Sequence, residues 1–267
     1  MDPHQTNERN GDCRLTYVMS DLHGCWREYQ EALEKIAFLS SDRLYIIGDI
    51  VDRGPDVVSI LKDVMKRDNV RVLAENHEYM GLQVLGKSCK KGLTTPLSDM
   101  TSAGIESCLL WMNDGGDQTL RQLKRGGDEA LQRVAAYLAD LSLYGEVSAG
   151  SRDYLLVHAG LEPFQPEKPL EEYGPAELLF HQADYNRPYF RDRYTITGHT
   201  PTFFIEGAQK GYSGSFLQFV QFLLKPLNQF SLLLRISRPL QPQTCRIPLG
   251  CSMCCPRVSW SHFSGVT

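Results

Sequence analysis

Short apolar segments alternate with longer amphipathic segments from about Arg14 to about Thr200. Five of the short segments are rich in β-branched and aromatic residues, which is typical of buried strands. These five are Leu15–Met19, Leu44–Ile47, Val70–Leu73, Tyr154–Val157 and Tyr194–Thr197. Alternation of such strands with helices predicts an α/β layered domain.

The amphipathic segments carry apolar residues at helical spacing. The first follows Gly24, where Trp26, Tyr29, Leu33 and Ile36 recur every three or four residues. Pro55 suits the first turn of a second helix that extends to Met65. Further helices are predicted over 77–85 and 128–141. Residues 87–127, which are rich in Gly, Ser and Thr, are predicted to form a cap insertion with short helices.

Composition divides the chain into three parts. Residues 1–13 are polar and are expected to be disordered, and residues 14–207 are expected to form the catalytic domain. Residues 208–267 contain no Asp or Glu but six basic residues, which is atypical of a folded segment. This tail fits a basic interaction segment, divergent closing strands or a frame-shift product. We favour the frame-shift product because composition changes abruptly while the preceding motifs are intact.

The bulk composition favours a cytoplasmic globular protein. Of the 267 residues, 42% are hydrophobic and 22% are charged, which is ordinary for a soluble domain. The net charge of −4 gives no reason to expect nucleic acid or a membrane surface as a partner. No export signal and no membrane-spanning apolar run is visible, and the eight cysteines are expected to be reduced.

Residues of the types that bind metal ions stand where the predicted strands end. The six candidates are Asp21, His23, Asp49, Asn76, His158 and His199. Any single histidine is more often a packed or solvated residue than a ligand, and His4, His181 and His262 are interpreted that way. Five strand ends in succession instead indicate one site along a sheet edge.

The ligand types predict two divalent metal ions. Asp21 and His23 are two residues apart, so both can face one ion, and Asp49 can bridge to a second. Asn76, His158 and His199 provide neutral donors for that second ion. Mixed His, Asp and Asn ligands suit Mn²⁺, Fe or Zn²⁺ better than Ca²⁺, and Mn²⁺ is preferred here. Two such ions activate water for phosphoester hydrolysis.

Three further residues fit that reaction. Arg53 can hold two phosphoryl oxygens with its planar guanidinium group. His77 lies beside Asn76 and is placed to protonate the leaving oxygen, and Asp52 can accept the other ring proton of His77. Glu78 is interpreted as a supporting charge at the start of the third helix.

At this point the motifs resemble a known family. DLHG (21–24), GDIVDRG (48–54), NHE (76–78), HAGL (158–161) and GHT (198–200) are similar to successive signatures of the PPP-type metallophosphoesterases. Trp111–Gly116 is similar to the cap of the bacterial and phage-like serine/threonine protein phosphatases. The resemblance implies a four-layer fold in which two mixed β-sheets form a sandwich flanked by helices. It implies the same six ligands, with His77, Asp52 and Arg53 as the catalytic residues.

Three departures from the family pattern affect the prediction. Glu75 stands where the family usually has Gly, and Gln182 stands where relatives usually carry a second phosphate-binding Arg; Arg187 is a nearby substitute. The family's closing strands are not recognisable beyond about Gly207. Their loss would expose sheet edges.

The main functional prediction is a serine/threonine protein phosphatase that acts on a phosphorylated protein or a small phosphoester. Two alternatives stay open. One is a symmetrical dinucleoside tetraphosphate hydrolase, which uses the same core. The other is a catalytically impaired phosphatase-like binding protein, which Glu75, Gln182 and the acid-free tail favour.

Overall fold

The computed structural model of this chain describes residues 15–89, 101–149, 152–184, 189–199 and three strands between positions 216 and 236. All of them belong to one compact unit, Arg14–Arg238. The prediction of a disordered N-terminus at 1–13 lies outside the described residues. So do Arg187, residues 90–100 of the cap insertion and most of the acid-free tail.

Nine strands form two mixed sheets within the described part of the chain. They are β1 Thr16–Ser20, β2 Arg43–Ile46, β3 Val70–Val72, β4 Tyr144–Ala149, β5 Arg152–Val157, β6 Arg193–Thr197, β7 Phe216–Gln218, β8 Phe222–Leu224 and β9 Gln229–Ile236. The first sheet has the order β3-β2-β1-β9-β8, and the second has the order β4-β5-β6-β7. In the first sheet β1, β2 and β3 are parallel and β9 is antiparallel. In the second, β5, β6 and β7 are parallel and β4 is antiparallel.

The described residues form seven α-helices: the four predicted ones, two in the predicted cap insertion, and a short last one that the sequence did not predict. They are α1 Trp26–Lys35, α2 Val57–Val64, α3 Asn76–Cys89, α4 Ser102–Trp111, α5 Asp117–Lys124, α6 Gly127–Ala139 and α7 Pro175–Leu179. A kinked turn, Met112–Gly116, joins α4 to α5, with non-helical backbone angles at Asp114 and Gly115. The Asp56 carboxylate caps α2 by accepting a hydrogen bond from the Ser59 amide at 3.0 Å.

Alternating side chains of the strands build four layers. Val18 of β1 and Leu156 of β5 meet in a buried cluster between the two sheets. Tyr17 and Met19, on the other face of β1, pack against the helices α1 to α6. Leu155, on the other face of β5, packs against α7 and its flanking loops. The predicted sandwich of two mixed sheets flanked by helices is therefore confirmed.

The structure adds strands that the sequence did not predict. β4 is one, although it pairs with β5 along six residues. β7, β8 and β9 all lie beyond position 207, and both sheets include them. Of the three explanations for the tail, these strands agree with closing strands, while the domain boundary at 207 stays a prediction.

No helix among the described residues combines the length and apolar character needed to cross a membrane.

Candidate metal centre

The predicted metal ligands follow the ends of five strands, three in the first sheet and two in the second. Asp21 and His23 follow β1, and Asp49 follows β2. The remaining three, Asn76, His158 and His199, follow β3, β5 and β6. The two sheets lie face to face, so these ends converge at one edge of the sandwich. Every one of the six side chains is buried except that of His199, which is half-buried.

The backbone around the site is held in an unusual conformation. Six predicted site residues have a positive φ of 40° to 67°, in the left-handed region that non-glycine residues rarely adopt: Asp21, His23, Asp49, Asp52, Arg53 and His199. Among the described non-glycine residues only Ala37 shares this property. Such strain is found mainly where a fold must aim side chains at a functional site.

A close backbone approach brings the first two motifs together. A Cβ atom on Gly54 would lie 1.7 Å from the carbonyl oxygen of His23, so only glycine fits there. The amide of His23 also donates a hydrogen bond to the carbonyl of Asp49 at 2.6 Å. The loops after β1 and β2 are therefore packed directly against each other.

Asp49 lies at the centre of the cluster. Its ligand atoms fall within 4.8 Å of those of Asp21 and His158, and also within 4.8 Å of those of His23 and His77. Both three-residue groups have the composition of a metal site and share this one carboxylate. The geometry therefore places Asp49 where a bridging ligand between two ions would stand.

Two imidazole rings are oriented by backbone carbonyls. Nδ1 of His158 donates to the carbonyl of Ile47 at 2.7 Å, and Nδ1 of His23 donates to the carbonyl of Val51 at 2.9 Å. In both rings Nε2 therefore points into the cluster. Fixing a ring through its other nitrogen is the usual way in which proteins orient histidine ligands.

Several acceptor atoms in the cluster have no donor facing them. Oδ1 of Asp49 and Oδ1 of Asn76 are buried without a hydrogen-bond partner among the described residues. Nε2 of His158 lies 3.6 Å from Oδ2 of Asp49, and its hydrogen-bond partner is Nδ1 of another predicted ligand, His199, at 3.2 Å. Buried acceptors that converge without donors are costly unless a cation lies among them. The residues present therefore fit divalent metal ions.

The pKa values of the cluster point the same way. Burial and the neighbouring Asp49 carboxylate raise the pKa of Asp21 to about 8. Burial opposes charging of His23, but Asp49 outweighs it and raises the pKa of that imidazole to about 9. Burial lowers the pKa of His158 to about 4, so its Nε2 is an unprotonated donor atom for a metal. Without metal ions, the raised pKa values keep protons on Asp21 and His23. Divalent cations would take the place of these protons and neutralise the carboxylates.

His77 and Asp52 form the pair that the sequence predicted. Nδ1 of His77 lies 2.7 Å from Oδ2 of Asp52, and both residues are fully buried. Arg53 is always a donor, so its contact of 2.7 Å between Nη2 and Nε2 of His77 leaves the ring proton on Nδ1, donated to Asp52. His77 also lies 3.8 Å from Asp49, so distance alone would also permit it to be a ligand. Its role as a proton donor stays a prediction.

The cap supplies residues that the sequence did not single out for roles. Nε1 of Trp111 donates to Oδ2 of Asp52 at 2.8 Å, and Oγ1 of Thr119 donates to Oδ1 at 2.6 Å. Asp114 accepts from Nη2 of Arg53 at 2.7 Å. Trp111 and Asp114 belong to the motif at 111–116, which was a usable signal, whereas nothing in the sequence marks Thr119.

Two predicted departures can be located in the structure. Glu75 is fully buried beside the cluster, where its carboxylate lies 3.3 Å from His158. Gln182 is exposed in a loop and does not belong to the cluster. Of positions 53 and 182, only Arg53 contacts the cluster, through His23 and His77, and its binding of phosphate stays a prediction.

Two mixed sheets in a sandwich, with Asp, His and Asn side chains converging at one edge, define a metallophosphoesterase fold. A profile of the calcineurin-like phosphoesterases matches residues 15–226. The chain belongs to that family.

The relatives with curated functions are similar over only part of this chain. A symmetrical bis(5′-nucleosyl)-tetraphosphatase from Nitrosomonas europaea is 32% identical over 151 residues, which cover 55% of this chain and 45% of that protein. One from Coxiella burnetii is 40% identical over 74 residues, which cover 27% of this chain and 25% of that protein. The chain thus matches less than half the length of these relatives.

The crystal structure of a candidate diadenosine tetraphosphatase superposes with a TM-score of 0.50 at 17% identity, over 79% of this chain and 84% of that one. That similarity shows the fold.

Proposed function

We propose that this metal-dependent phosphoester hydrolase cleaves a dinucleoside tetraphosphate symmetrically. The observation that carries the reaction class is that Asp49 has atoms within 4.8 Å of two buried groups that could each hold a metal ion, Asp21 with His158 and His23 with His77. The substrate class is supported by the curated relatives, which are symmetrical tetraphosphatases. This substrate was the alternative in the sequence-based prediction, and the relatives favour it over the protein phosphatase.

The chain's own residues divide the work of the reaction. Divalent ions held by the six ligands would supply a water of lowered pKa and neutralise phosphoryl oxygens. Arg53, whose side chain is 40% exposed, is placed to bind a phosphoryl oxygen at the mouth of the site. Nε2 of His77 accepts from Arg53 in the resting site, so it would first take up a proton from water as Arg53 turns to the phosphoryl group. It would then deliver that proton to the leaving oxygen while Nδ1 stays bonded to Asp52, which keeps the ring oriented. Asp52 is buried and bonded to the cap, so this orientation is fixed before substrate binds.

A phosphoprotein substrate is the second candidate. It is favoured by the segment Trp111–Gly116, which resembles the cap of protein phosphatases and contacts both Asp52 and Arg53. Hydrolysis of diadenosine tetraphosphate and of a phosphoserine peptide should therefore be compared side by side. The metal-stripped chain would be assayed before and after addition of Mn²⁺. We expect Mn²⁺-dependent release of two ADP molecules from the dinucleotide, at a higher kcat/KM than phosphate release from the peptide. The reverse ranking would favour the phosphatase.

Asp49→Asn tests the reaction class. The amide keeps the shape of Asp49 but cannot bridge two cations as an anion, so we expect kcat on either substrate to fall by at least about 1,000-fold. Asp68→Asn, an exposed residue after α2, is the matched control and should keep wild-type turnover. Turnover by Asp49→Asn within tenfold of wild type would contradict the assignment of the whole site.

A further inference from the structure

The carboxylate of Glu75 has two oxygens with different surroundings. Oε1 accepts hydrogen bonds from the backbone amides of His77 at 2.5 Å and Glu78 at 3.1 Å. These are amides of the first turn of α3, so Oε1 caps that helix. Oε2 is buried and has no hydrogen-bond partner among the described residues. The cap therefore explains one oxygen and leaves the other unexplained.

The unexplained oxygen faces the metal cluster. Oε2 of Glu75 lies 3.3 Å from Nε2 of His158, whose own proton is on Nδ1. Two ligands of one ion, each roughly 2.0–2.2 Å from it at the angles of common geometries, lie about 3.0–3.5 Å apart. The contact between His158 and His199, at 3.2 Å, has the same separation. Oε2 is thus spaced from His158 as a fellow ligand would be.

The fold makes room for this side chain. A Cβ atom on Gly48 would lie 2.1 Å from Cγ and 2.4 Å from Cβ of Glu75. Gly48 has a φ of +78°, which also favours glycine. The side chain at position 75 therefore fits into space that the glycine of the second motif leaves open. It needs no displacement of the ligands around it.

The surroundings leave Oε2 few other functions. Its acidic neighbours are Asp49 and Glu78. Both oxygens of Glu78 accept backbone amides, from Asp49 at 3.1 Å and from Ile50 at 2.9 Å. A fully buried carboxylate oxygen without a donor, set among other acceptors, must either hold a proton or have a cation beside it.

We propose that Glu75 is a seventh protein ligand of the dinuclear centre, binding through Oε2 to the ion held by Asn76, His158 and His199. An additional anionic oxygen favours a hard ion such as Mn²⁺ at that position over softer ions. The inference deepens the proposed function and rests on it, because it presupposes the two-ion centre. It also gives Glu75 a role in place of the impairment that its departure from the family pattern suggested.

Metal binding measured without substrate tests this inference. The full-length, metal-stripped chain would be titrated calorimetrically with MnCl₂, alongside the variants Glu75→Gln and Glu75→Gly. Gln retains an acceptor for the helix cap but loses the anionic ligand, and Gly restores the family pattern. We expect wild type to bind two Mn²⁺ ions. Both variants should bind one of the two ions on the order of 100-fold more weakly. Removal of a residue that only supports a ligand costs up to about this much, so loss of a direct ligand should cost no less.

Glu78→Gln is the matched control. It alters a second buried carboxyl group of the same pocket, and because both of its oxygens accept backbone amides of the loop after β2, it perturbs that loop without removing an oxygen that is free to bind an ion. Both variants are compared with wild type. We expect the fold loss of Mn²⁺ affinity in Glu78→Gln to be at least ten times smaller than the fold loss in Glu75→Gln. The visible spectrum of the Co²⁺-loaded protein reports coordination number, and it should change in Glu75→Gln and Glu75→Gly but not in Glu78→Gln. Circular dichroism of the metal-free variants would establish that each is folded.

The outcomes are distinguishable from failure of the proposed function. If wild type binds two Mn²⁺ and hydrolyses phosphoesters, but Glu75→Gln has the same affinities and Co²⁺ spectrum, the seventh ligand is refuted and the hydrolase stands. Equal losses in Glu75→Gln and Glu78→Gln with an unchanged Co²⁺ spectrum would also refute it. Failure of wild type to bind Mn²⁺ would overturn both proposals.

Discussion

Asp52 shows how a single buried side chain ties the cap to the chemistry. Its oxygens accept hydrogen bonds from His77, Trp111 and Thr119, and its own amide donates to Oγ1 of Thr119 at 2.8 Å. A fully buried carboxylate that is satisfied by several donors keeps its neighbours in fixed positions. The orientation of His77 therefore depends on Trp111 and Thr119, which are 59 and 67 positions from Asp52 in the sequence.

Thr119→Val tests this dependence. Valine has nearly the same shape, but it leaves Oδ1 and the amide of Asp52 without their partner in a dry environment. We expect the free energy of unfolding to fall by about 1–3 kcal/mol and kcat to fall with it, because Asp52 no longer holds His77 firmly. Urea unfolding and steady-state kinetics measure the two effects. Thr119→Ser keeps the hydroxyl and should recover most of both. An unchanged urea midpoint in Thr119→Val would contradict the role assigned to this hydroxyl.

The sequence located individual ligands well but not their supporting contacts. Asp21, Asp49 and His158 could be predicted because each follows a strand, and strand ends meet at one sheet edge. The contact from Thr119 to Asp52 joins residues 67 positions apart. It depends on how the cap packs, and local periodicity carries no information about that.

The cap region also controls the exposed arginine of the site. Asp114, in the kinked turn Met112–Gly116, accepts a hydrogen bond from Arg53, and the Arg53 amide donates to the carbonyl of Gly115 at 3.2 Å. A Cβ atom on Gly115 would lie 2.6 Å from Cγ of Arg53. The turn therefore lies directly against Arg53. Any phosphoryl group that binds Arg53 must compete with the Asp114 carboxylate.

Asp114→Asn should therefore tighten anion binding. Both side chains of the pair are about 40–46% exposed, so the pair contributes no more than about 1 kcal/mol, which corresponds to roughly fivefold in affinity. We expect the inhibition constant of inorganic phosphate to fall by up to about fivefold, with little change in the urea midpoint. Asp117→Asn, which removes the pair between Asp117 and Arg121 on α5, is the control and should leave that constant unchanged. Weaker phosphate binding in Asp114→Asn would contradict competition between the two anions.

Helices whose apolar residues recur at helical spacing could be predicted from the sequence. Strands that form only because a neighbouring strand pairs with them could not. α1 and α2 could be predicted from their apolar faces, with ends within two residues of the observed ones. β4, Tyr144–Ala149, has a Gly and a Glu in its first half and lacks the apolar run of its partner β5. It is a strand because β5 offers an edge along six residues, which is a property of the neighbouring strand.

At the scale of the whole molecule, both sheets are closed by strands from the acid-free tail. β9 pairs antiparallel with β1 over five residues, from Thr16 opposite Ile236 to Ser20 opposite Leu232. β1 ends one residue before Asp21, so β9 borders the strand that delivers two of the predicted ligands. β7 likewise pairs with β6, which ends two residues before His199. Without these strands β1 and β6 would be open edges next to the metal centre.

Proline substitutions in β9 test whether this pairing supports the fold. Consecutive amides of a strand point to opposite edges, so one of Leu233→Pro and Leu234→Pro must remove an amide that faces β1. We expect that variant to lose about 1–3 kcal/mol in the free energy of unfolding, because the carbonyl partner on β1 is left unpaired. Leu233→Ala and Leu234→Ala keep the amides and separate this backbone effect from the loss of the side chain. Urea unfolding of all four variants, with and without Mn²⁺, measures it. If both proline variants unfolded at the midpoint of their alanine counterparts, the tail strands would contribute nothing to the sheet, and the boundary predicted at 207 would be the better description of the domain.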